Sequence, residues 1–504
     1  MQRARLSLGG ATDIASPVGS HAGTPIALIG AVALAAVVRA LVAQHAGLTD
    51  DEAYYRLWAL APAMSYLDHP PMVGWMMASG RWIAGDTALG IRLGGILTSL
   101  IGPIVLWRTA AILFDRHVAQ WAVWLALAMP LLAVGGVIVT PDTPSVLFWG
   151  LAAWAAAELH VSRNANWWIA VGAFSGLGLL SKYTNLFAGA AIALWIVLLP
   201  ANRVWLRCWQ LWAGGTLAFV IALPVAIWNW HHDWASFAKQ FGRAGVGGGI
   251  TARFLPELGG AFLGLASPVI AVLAVWGLGI AVRRTIEKQD PAAGFLAFGI
   301  APLLAYFLFH ALHDRVQPNW LAPVYPALAI CAALALSMMR PHAQRRAGSA
   351  AVVIGLLVSG LIYVHALRPI VMLSGIKDPT FQMHGWTAFA EDIDAMRTAN
   401  GAVWIATSSY ATTGQLAFHL ANRAPVVQLT ERLRYVHLPK LDRQLLGSDA
   451  IYVDQTRYRA EALLRRRFRS VTPLGRISRS YLGVPLASFE VYRVAGPTTA
   501  VLGP

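Results

Sequence analysis

Charge is scarce in this chain. Of its 504 residues only 12% are Asp, Glu, Lys or Arg, whereas a soluble domain carries about a quarter. With 57% hydrophobic residues, the chain has more apolar surface than a soluble sphere of this size can bury. Intrinsic disorder is excluded by the same composition. Cysteine is nearly absent. The two present, Cys208 and Cys331, fall at or inside apolar runs, which argues against a disulfide scaffold. Also missing are a zinc-ligand spacing, a recognition-helix pattern, a P-loop, a GxGxxG after a strand, a CaaX box and any internal repeat. No nucleic-acid partner is expected. The net charge of +15 is read as basic residues that orient helices and face anionic membrane lipids.

What is present is a series of apolar runs long enough to cross a bilayer. They lie near 25–44, 88–113, 118–138, 143–160, 167–181, 184–200, 208–230, 258–282, 293–312, 320–338 and 349–367, eleven in all. The pair 167–181 and 184–200 is short enough to be re-entrant. Residues 1–24 form a Gly/Ser/Ala-rich head carrying Arg3 and Arg5, and the first run after it reads as an uncleaved signal anchor. With the N-terminus inside, the inner loops hold Arg116, Arg163, Arg203, Arg207, Arg283, Arg284, Lys288, Arg340, Arg345 and Arg346. The outer loops hold Asp50, Asp51, Glu52, Asp68, Asp86, Asp142, Asp233, Glu257 and Asp314. This is the positive-inside pattern. The expected fold is an all-α polytopic membrane protein of about eleven transmembrane helices, with a small C-terminal periplasmic α/β domain. Its parts are a cytoplasmic tail (1–24), a membrane domain (25–367) with a long first outer loop (45–87), and the tail domain (368–504). In that last part Gly385–Asn400 has helical spacing. Val403–Ala406, Val426–Leu429, Ile451–Val453 and Ser488–Val494 read as strands, and Arg465, Arg466, Arg467 and Arg469 make the surface basic.

The outer loops carry the residues suited to chemistry. The first contains Thr49-Asp50-Asp51-Glu52-Ala53-Tyr54-Tyr55 and then Tyr66-Leu67-Asp68-His69-Pro70-Pro71. Three consecutive acids at a membrane exit are costly unless solvated or used. Asp50 and Asp51 suit capping of a helix over Glu52–Leu60, and one carboxylate also suits a general base for a hydroxyl. The second loop is Thr140-Pro141-Asp142-Thr143-Pro144, where Asp142 suits a cap, a substrate contact or a metal. Ser181-Lys182-Tyr183-Thr184 offers a cation that snorkels or holds a phosphate. The fourth loop has Trp228 through Phe237, with His231, His232 and Asp233 as candidate metal donors. Lys239, Arg243 and a Gly-rich stretch, Gly242–Gly249, that could close over a substrate follow it. The fifth has His310, His313, Asp314, Arg315, Gln317, Pro318, Asn319 and Trp320, with Arg315 a candidate phosphate clamp. Carboxylates, cations and aromatics together suit transfer of a group from a phosphate-bearing donor to a hydroxyl. Outside an inner membrane no nucleotide is expected, so the donor would be carried on a lipid.

The ordered set Asp51-Glu52-Ala53-Tyr54-Tyr55, Asp68-His69-Pro70-Pro71, Thr140-Pro141-Asp142-Thr143-Pro144, Ser181-Lys182-Tyr183-Thr184 and Pro318-Asn319-Trp320 resembles the bacterial branch of the dolichyl-phosphate-mannose protein mannosyltransferase family. This is glycosyltransferase family 39, with the lipid A aminoarabinose transferase among its relatives. The likeness covers roughly residues 25–340. It implies a GT-C fold and inverting transfer from a polyprenyl-phosphate sugar. It also implies that Asp51 is the base, supported by Glu52, and that Asp142 is the second acidic position. The aminoarabinose transferases have an acid–lysine pair before the double proline that meets metal and donor phosphate. Here the pair is Asp68-His69, so Lys182 and Arg315 become the preferred phosphate partners. Tyr54, Tyr55, His69, Tyr183, Asn319 and Trp320 complete the expected substrate contacts. A divalent metal on Asp68 and His231 is the candidate cofactor. The resemblance implies an acceptor in lipid A, lipopolysaccharide core or another envelope glycan, at the periplasmic face of the inner membrane. Protein O-mannosylation is the same chemistry on another acceptor. A lipid-linked sugar transporter or flippase predicts mid-membrane charges and broken helices in related halves, whereas the acids here gather at one face.

Overall fold

The computed structural model describes residues 26–242, 249–372, 378–498 and 502. The head at 1–24, Arg243 and the Gly-rich stretch after it up to 248 lie outside these described residues. Twenty α-helices are described. The first group is α1 (Ile26–His45), α2 (Asp50–Leu60), α3 (Met72–Ala84), α4 (Ala88–Leu113), α5 (Arg116–Ala128), α6 (Pro130–Gly135) and α7 (Asp142–Ser162). Next come α8 (Trp167–Leu179), α9 (Leu186–Leu198), α10 (Trp209–His231), α11 (Ala235–Gly242), α12 (Phe254–Ala266), α13 (Pro268–Lys288) and α14 (Pro291–His310). The last are α15 (Tyr325–Ser337), α16 (Pro341–Leu367), α17 (Trp386–Ala399), α18 (Tyr410–His419), α19 (Arg443–Gly447) and α20 (Glu461–Arg467).

Among the described residues seven helices are long and apolar enough to cross a membrane: α1, α4, α10, α13, α14, the continuous Pro318–Ser337, and α16. The chain is a multi-pass membrane protein. An eighth span arises if Tyr183–Leu198 and Pro200–Arg207, bent by 110°, are taken together. Four of the eleven expected runs, 118–138, 143–160, 167–181 and 184–200, are not among the seven. The run at 118–138 breaks at Met129, where Pro130 starts a new helix. The run at 258–282 also breaks at Ser267, whose φ is +70°, but Pro268 starts α13, which is itself one of the seven. Proline lacks the N–H that would continue the preceding helix. The run at 167–181 yields only 13 helical residues, about 20 Å of rise, which is short of the bilayer core.

The membrane core forms where α4, α5, α13 and α15 meet, with Leu106, Ala122, Leu125, Ile270, Leu273 and Ala329 buried together. Small residues set the helix spacing. A side chain at Gly277 would overlap the Cys331 carbonyl of α15.

Beyond α16 a five-stranded sheet forms from β1 (Trp404–Thr407), β2 (Val426–Gln428), β3 (Ala450–Gln455), β4 (Phe468–Tyr481) and β5 (Val484–Pro497). Its order is β2-β1-β3-β5-β4. The first three strands run parallel and β5 is antiparallel to both neighbours. Three of the expected strands, with the β5 core, form where the apolar runs placed them. β4 escaped the reading because Arg469, Pro473, Arg476 and Arg479 interrupt its apolar alternation. It is held instead by its hairpin partner through the Leu482-Gly483 turn, where both residues have positive φ.

This C-terminal part sits on the first loop. Helix α18 lies against α2, and Gln415 Nε2 donates to the Leu48 carbonyl and to Asp50 Oδ1, each at 3.0 Å. The approach requires a glycine at 414. A Cβ there would lie 2.7 Å from the Tyr54 amide nitrogen. Gly414→Val is therefore expected to loosen this docking and speed proteolytic cleavage between 368 and 410 in detergent. Unchanged cleavage would show that the contact is not needed.

Candidate active site

The first loop turns into α2 through a capping box. Thr49 Oγ1 accepts from the Glu52 amide at 3.2 Å, and Glu52 Oε2 accepts from the Thr49 amide at 3.0 Å. The cap is thus Thr49 and not Asp50 or Asp51, which leaves both aspartates to other partners. Asp50 is engaged by Gln415 and, through its amide, by Gln382 Oε1 at 3.0 Å. Asp51 is half-buried and borders a cavity of about 470 Å³. Burial raises its carboxyl from the ordinary value to about 6; the nearby Asp50, Asp68 and Glu52 charges add to the rise, while a hydrogen bond from Tyr410 opposes it.

Glu52, expected to support Asp51, stands away from the cavity. Its side chain is 0% exposed and borders no part of the cavity. Arg92 of α4 grips it with two bonds of 2.8 and 2.7 Å, and the Val139 amide donates to it at 3.0 Å. Arg92 also donates to the carbonyls of Ala43, Ala46 and Gly47 at the end of α1. Glu52 thereby ties the first loop to α1, α4 and the loop that leads to Asp142.

The second acid begins α7 without capping it. Asp142 Oδ1 binds Lys182 Nζ at 2.6 Å and Oδ2 accepts from Asn319 Nδ2, also at 2.6 Å. Three expected site residues from three separate loops thus converge. Asp142 and Asn319 border the same cavity as Asp51, whereas Lys182 stands behind Asp142, with its charge neutralised there. Tyr183 points the other way, its hydroxyl 2.8 Å from Ser236 Oγ and its ring against Phe237.

Asp68 lies in a second cluster. Lys239 binds it at 2.7 Å, Arg434 binds it from the C-terminal part, and the Tyr54 hydroxyl donates to it at 2.8 Å. Burial would raise the Asp68 carboxyl, but Arg434 and Lys239 outweigh this and hold it below the ordinary carboxylate value. Arg434 also lies over the Tyr54 and Tyr410 rings, 5.6 and 5.1 Å from their centroids. Tyr55 packs on Trp58 and edge-on to His69. Arg315 is exposed and pairs with Glu257 at 2.7 Å, and Trp320 packs on Phe307 and His310; neither borders the cavity. His231 is exposed at the end of α10. Among the described residues no three His, Cys, Asp or Glu side chains converge as a metal site, and Asp68 is already neutralised by two cations. The donor set does not fit a divalent ion, and no step is routed through one.

Sequence reading missed Arg39, Arg92, Gln382, Tyr410 and Arg434. An arginine inside an apolar run is itself a signal; Arg39 is the one charged residue in its run, and Arg92 shares 88–113 only with Arg108. The other three come from the C-terminal part, and no local pattern marked them.

Below its polar end the cavity is apolar, walled by Leu106, Leu127, Ala156, Trp195, Phe295 and Ile330. Such a shape takes a polar head on a long hydrocarbon chain. Residues 68–228 match the family described as dolichyl-phosphate-mannose-protein mannosyltransferase. Over that segment, about a third of its length, this chain is similar to the mannosyltransferase family. The matched segment includes Asp68, Asp142 and Lys182. A lipid A galacturonosyltransferase, RgtD, of Rhizobium johnstonii is 28% identical over 300 residues, covering 58% of this chain and 62% of that one. An undecaprenyl phosphate-α-4-amino-4-deoxy-L-arabinose arabinosyl transferase of Erwinia tasmaniensis is 25% identical over 291 residues, covering 53% of this chain and 49% of its own. The chain thus spans less than two thirds of these relatives' lengths. Over 96% of this chain and 100% of the other, the fold matches ArnT from Cupriavidus metallidurans, solved with undecaprenyl phosphate bound, at a TM-score of 0.65 and 16% identity. The expected GT-C fold is thereby shown.

Proposed function

We propose that the protein transfers a sugar from a polyprenyl-phosphate donor to lipid A or a related envelope glycolipid, at the periplasmic face of the inner membrane. The observation that carries this is one cavity with Asp51, Asp142 and Asn319 at its head and an apolar limb below. The relatives' own substrates, lipid A and undecaprenyl-phosphate aminoarabinose, support the same acceptor and donor classes. Basic residues in one set of loops and acids in the other support an N-in topology that places the head of the cavity outside. In that topology residues 1–24 are cytoplasmic and 368–504 periplasmic.

In the proposed reaction Asp51 takes the proton of an acceptor hydroxyl. The hydroxyl oxygen attacks the anomeric carbon from the side opposite the phosphate. The bond from that carbon to the phosphate oxygen breaks, and polyprenyl phosphate leaves with the bonding pair, so the anomeric configuration inverts. Asp142, fixed by Lys182 and Asn319, can accept hydrogen bonds from sugar hydroxyls.

The test is a mass spectrum of lipid A and core oligosaccharide from wild-type and deletion strains. Loss of one sugar-sized increment is expected, and unchanged lipopolysaccharide would overturn the acceptor assignment. A base that titrates at about 6 also fixes the sign of the pH dependence. Below that pH kcat/KM is expected to fall about tenfold per unit as Asp51 takes up its proton. A flat profile down to pH 5 would exclude Asp51 as the base.

A further inference from the structure

The two cations expected to meet a phosphate are both engaged elsewhere, Lys182 with Asp142 and Arg315 with Glu257. Another cation does border the cavity. Arg39 of α1 is 4% exposed and lines it together with Ser99 and Gly136. Among the described residues no carboxylate lies within ion-pair reach of it. Its one hydrogen bond among the described residues, from Nε to the Tyr363 hydroxyl, is long at 3.4 Å. The Tyr363 proton is committed to the Ala133 carbonyl at 2.6 Å, so Tyr363 offers Arg39 a neutral lone pair and nothing more. Among the described residues the two terminal nitrogens of the guanidinium have no protein acceptor.

A guanidinium keeps its charge in any protein environment. Leaving it unpaired inside a membrane helix bundle is costly. The surroundings are nevertheless shaped for it. Gly136 lets the arginine stem pass, since a Cβ there would stand 2.8 Å from Arg39 Cδ and 3.0 Å from Ser99 Cβ. The depth is also specific. Along α4 the cavity wall passes from Thr98 and Ser99 to Val105 and Leu106. Arg39 and Ser99 both flank Gly136, where that wall turns from hydroxyls to Val105 and Leu106, with Thr109 the one further hydroxyl on it. In a polyprenyl-phosphate sugar the phosphate occupies the same junction, between sugar and hydrocarbon.

We infer that Arg39 is the residue that binds the phosphate of the lipid-linked donor, through the paired N–H groups of its free guanidinium edge. This rests on the polyprenyl-phosphate reading above and adds to it the residue and the depth at which the phosphate sits. The same contact would stabilise the charge on the departing polyprenyl phosphate.

The test compares binding of undecaprenyl phosphate and of uncharged undecaprenol to the purified full-length protein in detergent. Wild type is expected to prefer the phosphate strongly. Arg39→Gln is expected to bind undecaprenyl phosphate about 10–100-fold more weakly, with undecaprenol binding unchanged. Without lipid, Arg39→Gln is expected to melt no lower than wild type, because an unpaired charge has been removed; a merely structural arginine would give a lower melting temperature. Equal affinity of wild type and Arg39→Gln for undecaprenyl phosphate would overturn the assignment and leave the donor reading intact. Failure of wild type to bind undecaprenyl phosphate would overturn both. Weakened binding of purified lipid A with undecaprenyl phosphate binding unchanged would put the anion on the acceptor and also refute the assignment. Should Arg39→Gln not fold, Arg39→Lys decides, since it keeps the charge but loses the bidentate edge. An affinity equal to wild type's would then refute the proposal.

Discussion

Asp51→Asn is expected to lower transfer by about three orders of magnitude, the range of a lost general base, and to raise the melting temperature at neutral pH. The second effect separates a functional acid from a structural one. The Asp51 carboxyl titrates at about 6 in the fold, against 3.8 for the exposed group. Its contribution to folding is present below the exposed value and lost as pH rises through about 6. At pH 7 the ionised side chain, close to Asp50, Asp68 and Glu52, therefore opposes the fold. Asparagine has nearly the same shape, can still bond to Tyr410 and removes the charge. A chain that keeps an acid at a cost in stability is using it, in keeping with the trade between stability and activity. The measurement is turnover of purified protein with a polyprenyl-phosphate sugar, paired with thermal unfolding in detergent. Normal turnover from the variant would eliminate Asp51 as base, and a large drop in melting temperature would make the acid structural.

Much of this site can be read along the chain because its parts are short motifs at loop tips. Asp142, Lys182 and Asn319 were singled out separately, and the fold brings them within hydrogen-bond distance. What could not be read was how one acid differs from the next. Asp51 and Glu52 are neighbours with the same chemistry, yet successive helix residues point about 100° apart. One therefore borders the cavity while the other meets Arg92. Nor could the role of the C-terminal part be read. Tyr410 and Arg434 reach the first loop only because Gly414 lets α18 settle on the α2 backbone. That is a contact between segments some 360 residues apart. The helices long enough to cross a membrane number fewer than the apolar runs in part for a related reason. Averaged hydropathy sees apolar residues at Pro130 but not the backbone break it imposes.

Glu52 carries the largest expected effect on stability. Its carboxylate and the Arg92 guanidinium are both fully buried, so their pairing gives little net gain over an apolar pair, whereas breaking it leaves a charge stranded. Glu52→Ala is expected to cost about 3–5 kcal/mol and to lower the amount of folded protein in the membrane. Glu52→Ala combined with Arg92→Met should recover much of that loss, because no unpaired charge remains. Recovery should be incomplete, since Arg92 also bonds the last carbonyls of α1 and Glu52 also accepts from the Val139 amide. Those bonds set the distance between Asp51 and Asp142, so activity should return less than stability does. A Glu52→Gln protein that folds should keep the acid limb near pH 6 while turning over more slowly, because the titrating base is still Asp51. If that limb instead vanished from Glu52→Gln and persisted in Asp51→Asn, the two acids would exchange roles. Glu52 would then be the base and Asp51 the residue that positions it.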